Sequence, residues 1–138
     1  ALVEQLKEAR IDLVVMAGFM TIVTGELFQA YPDAVINVHP SLIPAFCGRG
    51  CYGLHVHEKA LEYGVKVSGA TVHFVNEECD AGPVILQKAV EVLPDDTPEV
   101  LQRRIMEQCE WQLLPRAVSL FCQDRLKVEG RTVRILNV

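Results

Sequence analysis

Asn37-Val38-His39-Pro40-Ser41-Leu42-Ile43-Pro44 places a carboxamide, an imidazole and two prolines in one short stretch, directly after the β-branched pair Val35-Ile36. Asn37 and His39 are two residues apart, so in an extended segment both point to one side. A strand ending this way presents the pair at the carboxyl edge of a sheet, where open α/β proteins bind ligands. Asp80, in the turn Asn76-Glu77-Glu78-Cys79-Asp80-Ala81-Gly82-Pro83, offers a carboxylate. A histidine held by a buried carboxylate is stabilised as imidazolium. Beside a carboxamide donor, such a cation suits the oxyanion that develops when a carbonyl is attacked. Asn37, His39 and Asp80 would then support acyl-type transfer by direct attack of a substrate nucleophile, with no serine or cysteine nucleophile. The spacing alone also fits strand-end caps at Asn37 and His39 and an Asx-turn at Asp80.

Other titratable residues carry weaker patterns. His55 and His57 would diverge by roughly 200° on a helix and share a metal only in an extended segment. With His39 and Asp80 they form a nominal set for a zinc hydrolase, against which stands a solvated helix start. His73 lies in an apolar strand and reads as a satisfied core histidine. Glu77 and Glu78 read as a solvated turn, and Arg103 and Arg104 as the exposed face of a helix. The glycine-rich loop 48–53 has no P-loop pattern. Tyr31, Tyr52 and Trp111 are too scattered for a base-stacking platform.

Composition narrows the class. The chain has 138 residues, 50% hydrophobic and 22% charged, with mean hydropathy +0.21, as expected of one globular domain. A net charge of −5 with no basic cluster argues against nucleic-acid binding. No apolar run approaches the roughly 20 residues a membrane span needs. The five cysteines, Cys47, Cys51, Cys79, Cys109 and Cys122, follow no framework pattern and read as reduced thiols of a cytoplasmic protein. The chain begins without Met on a helix entering an apolar strand, as a fragment or processed product would.

The elements that must position the polar pair follow from pattern. Leu2, Val3 and Leu6 predict a helix over 1–10, and Ile11 to Val15 a strand covered on both faces. Gly18, in Met16-Ala17-Gly18-Phe19-Met20, permits close approach of a ligand to the backbone. Thr24 would cap a helix from Gly25 to Tyr31, stopped by Pro32. Val35 to Val38 is a strand, 44–54 a long loop, and Leu54 to Tyr63 a helix ended by Gly64. Val65 to Val75 alternates as a strand, with Thr71, His73 and Val75 on one side; Gly69 in it marks a bulge or a close contact. Val84 to Val92 follows, most simply as its antiparallel partner. Thr97 and Pro98 start a helix running from Glu99 to Phe121, with Leu101, Ile105, Cys109, Leu113 and Leu120 near one face and a kink or break at Pro115. Residues 126–128 and 132–135 form a terminal hairpin. The expected fold is α/β: a three-layer, mostly parallel sheet with an antiparallel C-terminal part. The whole of 1–138 is one domain, with 1–122 as core and 123–138 as hairpin.

Five segments together resemble one family. They are Met16 to Met20, Asn37 to Pro44, His57-Glu58-Lys59-Ala60-Leu61, Gly69 to Val75, and Asp80-Ala81-Gly82-Pro83-Val84-Ile85-Leu86-Gln87. In order and type they are similar to the folate-dependent phosphoribosylglycinamide formyltransferases of purine synthesis, within the formyltransferase superfamily. The likeness runs from Ala1 to beyond Pro115. It implies transfer of a formyl group from 10-formyltetrahydrofolate to the amine of glycinamide ribonucleotide, without a metal, by a monomer or homodimer.

By motif match, Asn37 would bond the formyl oxygen and His39, as imidazolium, would stabilise the tetrahedral oxyanion. Asp80 would raise the pKa of His39, and Thr71 would support the proton relay. Met20, Thr21, Ile22, Val23, Val35, Asn37, Val75, Glu77 and Asp80 would line the folate pocket. Gly18, Met20, Pro40 and Glu110 would contact the ribonucleotide. The family's opening βα unit, whose loop holds the substrate phosphate, has no counterpart here, so this chain is expected to bind folate better than ribonucleotide. The loop from Cys47 to Leu54 is richer in glycine than many members show. Formyltetrahydrofolate hydrolase, sharing the Asn/His/Asp set, is the alternative activity, and a non-catalytic folate-binding module is the alternative from another class.

Overall fold

The strand that carries the polar pair, β2 (Val35–His39), is buried at every residue except Asn37, which is half-buried. It lies second in a six-stranded sheet of order β1-β2-β3-β4-β6-β5, made with β1 (Val14–Ala17), β3 (Val67–Phe74), β4 (Val84–Glu91), β5 (Leu126–Glu129) and β6 (Thr132–Ile135). The computed structural model describes residues 2–17, 25–48, 50–76 and 82–137.

Helices cover both faces of this sheet. On the side of Val35, α1 (Leu2–Glu8) and α2 (Gly25–Ala30) close a small core of Leu27, Tyr31, Ala34 and Val35, with Val3, Leu6, Val14 and Val75 against it. On the other side, Ile36, Val38, Ala70, Val72 and Phe74 meet Leu101, Ile105, Cys109, Leu113 and Ala117 of a long helix. This is the expected three-layer α/β arrangement.

The sheet expected to be mostly parallel is mixed. Over the described strands β1–β2 and β4–β6 run parallel, whereas β2–β3, β3–β4 and β5–β6 are antiparallel. The cause lies after β2. Loop 40–53 and α3 (Leu54–Tyr63) return the chain to the edge it left, so that Thr71 of β3 lies opposite His39. The terminal hairpin is present and joins the same sheet through Val84 and Thr132.

Several boundaries differ from the pattern. β1 starts at Val14, not Ile11, and its residues alternate between half-buried and exposed. Ile11 is instead spent on ending α1: Arg10 takes φ 57°, Ile11 N donates to Leu6 O and Arg10 N to Lys7 O. This is the paired bonding of a Schellman terminus. Gly69 marks a close contact and not the bulge: a Cβ there would collide with the Lys88 carbonyl and Leu42 Cδ2, while the β3–β4 register shifts at Val72/His73.

The long helix keeps its expected start, with Thr97 Oγ1 accepting from Val100 N at 3.3 Å and Pro98 at the first position. It runs as α4 (Pro98–Ile105), a π-helical turn (Met106–Glu110) and α5 (Trp111–Cys122). Its irregularity therefore precedes Pro115, and α5 continues through that residue. Leu101, Ile105, Cys109, Leu113 and Ala117 are buried at intervals of four. In an α-helix each such step overshoots a full turn by roughly 40°, which would carry the stripe off the sheet. The wider turn resets it. Arg103 is exposed as expected, but Arg104 is not. Its guanidinium donates to both carboxylate oxygens of Asp96, at 2.6 and 2.7 Å, and to Glu91 O at 3.2 Å, which ties the start of the helix to β4. That bonding holds the Asp96 carboxyl below the usual carboxylate range.

Candidate active site

Strand alternation places Asn37 and His39 on one face of β2, and the antiparallel register sets His73 opposite Asn37 and Thr71 opposite His39. Four polar side chains thus share one patch of sheet. His39, Thr71 and His73 are all buried, so each must find partners within the protein.

His39 Nε2 lies 2.8 Å from Phe46 O in the following loop. A carbonyl only accepts, so the hydrogen sits on Nε2. His73 Nδ1 lies 3.0 Å from Phe74 O and donates to it for the same reason. Its Nε2 then accepts from the Asn37 amide, Nδ2 to Nε2 3.4 Å. His73 is therefore more than a satisfied core histidine: it orients the carboxamide. The signal that identifies it is the β2–β3 register, which sequence spacing does not contain.

Thr71 is fully buried and engaged with the loop. Its hydroxyl donates to Ser41 O at 2.7 Å and accepts from Ile43 N at 3.1 Å and from Gln87 Nε2 at 3.0 Å. Ser41 Oγ donates to Ala45 O at 2.6 Å. The loop that follows the polar pair is thus stitched to β3 and β4, and neither Gln87 nor Ser41 stands out by residue type or spacing.

His57, on α3, is fully buried, and among the described residues neither ring nitrogen has a hydrogen-bond partner. Burial, and after it the charge of His39, lower its pKa to about 4, so at neutral pH it is an uncharged imidazole. His55 diverges from it as helical spacing requires: it is exposed, pairs with Glu58 at 3.3 Å and stacks edge-on with Tyr52. Among the described residues no three His, Cys, Asp or Glu side chains converge as a metal ion needs.

The remaining candidates divide by position. Val35 is fully buried beneath Leu27 and Tyr31, and its carbonyl accepts from Val75 N at 2.8 Å. Pro40 is half-buried just beyond the strand end. Glu110 ends the π turn on the opposite side of the sheet from Asn37, directly after Cys109 in the apolar core, and burial raises its carboxyl pKa. Gly18, Met20, Thr21, Ile22, Val23, Glu77 and Asp80 lie outside the described residues. Chemically, the described part of the site offers a fixed carboxamide donor and an imidazole with a defined tautomer at one strand end. The carboxamide, and the imidazole once its second nitrogen is protonated, suit a developing oxyanion.

A family model described as formyl transferase matches residues 1–118. The chain is 44% identical over 126 residues to a chloroplastic phosphoribosylglycinamide formyltransferase of Arabidopsis thaliana, an overlap of 91% of this chain and 43% of that protein. Glycinamide ribonucleotide transformylase 1 of Symbiobacterium toebii superposes with a TM-score of 0.91 at 48% identity, over 99% of this chain and 61% of that one. A formyltetrahydrofolate deformylase of Pseudomonas syringae superposes with a TM-score of 0.85 at 31% identity, over 99% and 44%. The chain thus spans less than two thirds of the length of each of these proteins. Among the described residues no helix is long and apolar enough to cross a membrane.

Proposed function

This chain belongs to the formyl transferase family, and from that premise we propose that it carries the one-carbon chemistry of a phosphoribosylglycinamide formyltransferase. The observation that supports the reading most is the pair Asn37 and His39, set side by side at the end of β2 with His73 orienting the amide. The formyl donor, 10-formyltetrahydrofolate, would supply an electrophilic carbonyl carbon. The amine of glycinamide ribonucleotide would attack it, forming the new C–N bond, and the bond to the folate nitrogen would break as the amine's proton passes to that nitrogen.

In this scheme the Asn37 carboxamide donates to the carbonyl oxygen, where negative charge grows. His39, as imidazolium, stabilises the same charge, with Asp80 as its carboxylate partner. Because His73 takes one amide hydrogen of Asn37, the other points in a restricted direction, and a pre-aimed donor costs no reorganisation at the moment of reaction. The folate would lie against the segments holding Met20 to Val23 and Val75 to Asp80, and the ribonucleotide against Gly18, Met20 and Pro40, whereas Glu110, on the other side of the sheet from Asn37, is not brought to this face. Thr71, with its hydroxyl committed to the loop, serves better as an anchor than as a relay. A cytoplasmic location and a monomeric or homodimeric state accompany this reading; gel filtration with light scattering distinguishes the two states.

His39→Ala is expected to lower the rate of formyl transfer by about 10²- to 10³-fold, the usual cost of an oxyanion-stabilising group. A folded His39→Ala protein that transfers formyl at the parent rate would remove His39 from this role. Calorimetric titration with a folate analogue reads donor binding apart from turnover, so a non-catalytic folate-binding module would bind and not turn over. The likeness to a deformylase favours a second reading, in which water replaces the amine. Formate release without any ribonucleotide, at a rate the ribonucleotide does not change, would select it.

A further inference from the structure

The loop after β2 is held from two strands away. Gln87, on β4, donates from Nε2 to Ile43 O and to Thr71 Oγ1, each at 3.0 Å. The residue after Ile43 is Pro44, which has no N–H, so this part of the turn has one backbone donor fewer to offer. Thr71 Oγ1 accepts from Ile43 N and from Gln87 and donates to Ser41 O. A hydroxyl has one hydrogen and two lone pairs, so its capacity is used in full. Ser41 Oγ then reaches Ala45 O at 2.6 Å and Phe46 O at 3.5 Å. Phe46 O is the acceptor of His39 Nε2.

We infer that Gln87 is a positioning residue for His39. By clamping Ile43 and Thr71 it sets the 41–46 turn, and the turn places the Phe46 carbonyl that accepts the His39 Nε2–H, which holds the ring in one orientation and leaves Nδ1 as the nitrogen that gains and loses a proton. Imidazole and imidazolium both donate from Nε2 to that carbonyl, so the clamp acts on chemistry through the direction of the ring. The catalytic consequence rests on the proposed formyl transfer; the geometric one does not.

Histidine-selective ¹⁵N labelling tests this on the protein itself, with the His39 resonance identified by its loss in His39→Asn. The parent should show a protected His39 Nε2–H. In Gln87→Ala that proton should exchange about tenfold faster or vanish, as a site opened by local loosening does. Thr71→Val should do the same, and Thr71→Ser, which keeps the hydroxyl, should restore the parent spectrum. Formyl transfer by Gln87→Ala should show kcat reduced about tenfold with KM for the formyl donor little changed, because orientation and not binding is lost. Gln87→Glu keeps the size and loses both donors, so it carries the same expectation should Gln87→Ala fail to fold. An unchanged His39 Nε2–H in a folded Gln87 variant overturns the inference. A changed spectrum in a protein whose parent form transfers no formyl group supports the clamp and counts against the functional reading instead.

Discussion

The two faces of β2 and β3 are built from alternate residues of the same strands, yet different forces hold them. On one face Ile36, Val38, Ala70, Val72 and Phe74 meet the long helix chiefly through apolar contact. On the other, Asn37, His39, Thr71 and His73 each depend on a named partner at hydrogen-bonding distance. Apolar packing is non-directional and scales with buried area, so that face defines where the sheet lies. The polar face contributes little net stability per bond, about 1 kcal/mol, but leaving one buried group unpaired costs more than that. The difference teaches that the site is specified by directional bonds laid on a platform that packing has already made rigid. Stability and chemistry should therefore separate under mutation.

The sharpest break is on the apolar side. Ile105→Ala removes a fully buried side chain from the core under β2 and β3. It should cost about 2–5 kcal/mol in denaturant unfolding, while the His39 Nε2–H signal survives wherever the protein remains folded. Loss of that signal along with stability would show that the two faces are not separable.

His57 tests the polar side. Its pKa is about 4 in the folded protein against 6.5 for an unperturbed histidine, so between those pH values the unfolded chain binds more protons. The stability tied to the neutral imidazole is complete above about pH 6.5, declines as the pH falls and is gone by about pH 4. The total is at most about 3 kcal/mol. His57→Leu should flatten this part of a stability–pH curve measured by urea unfolding; an unchanged curve would mean that the imidazole gains a partner on protonation. The smallest effect is expected far from both faces: Thr97→Ala deletes the cap of α4 and should cost about 1 kcal/mol of thermal stability with kcat unaltered.

Local chemistry made much of this molecule legible. Gly64 ends α3 with φ 85°, Thr97 and Pro98 open α4, and the 126–135 hairpin turns at Gly130, each where the residue type demanded it. These signals are readable because the energy that decides them lies within a few residues of chain. The juxtaposition of Asn37 and His39 was legible for the same reason, since period-two alternation is a property of any strand.

Other features had no local signature. Arg104 looks like one more solvated arginine, and its bidentate hold on Asp96 depends on where the end of β4 brings residue 96. The π turn answers a stripe of buried residues spaced by four, a pattern whose correction is needed only because the helix must follow the sheet. Above all, the partners of the polar pair were set by register. His73 meets Asn37, and Thr71 with Gln87 reaches the 41–46 turn, only because β2, β3 and β4 align as they do. The sequence by itself determined which residues could do chemistry and which segments would be helix or strand, since propensity, capping and alternation act at short range. Only the tertiary structure decided which way the His39 ring is held and what orients Asn37, since those depend on register and loop contacts that sequence distance does not order.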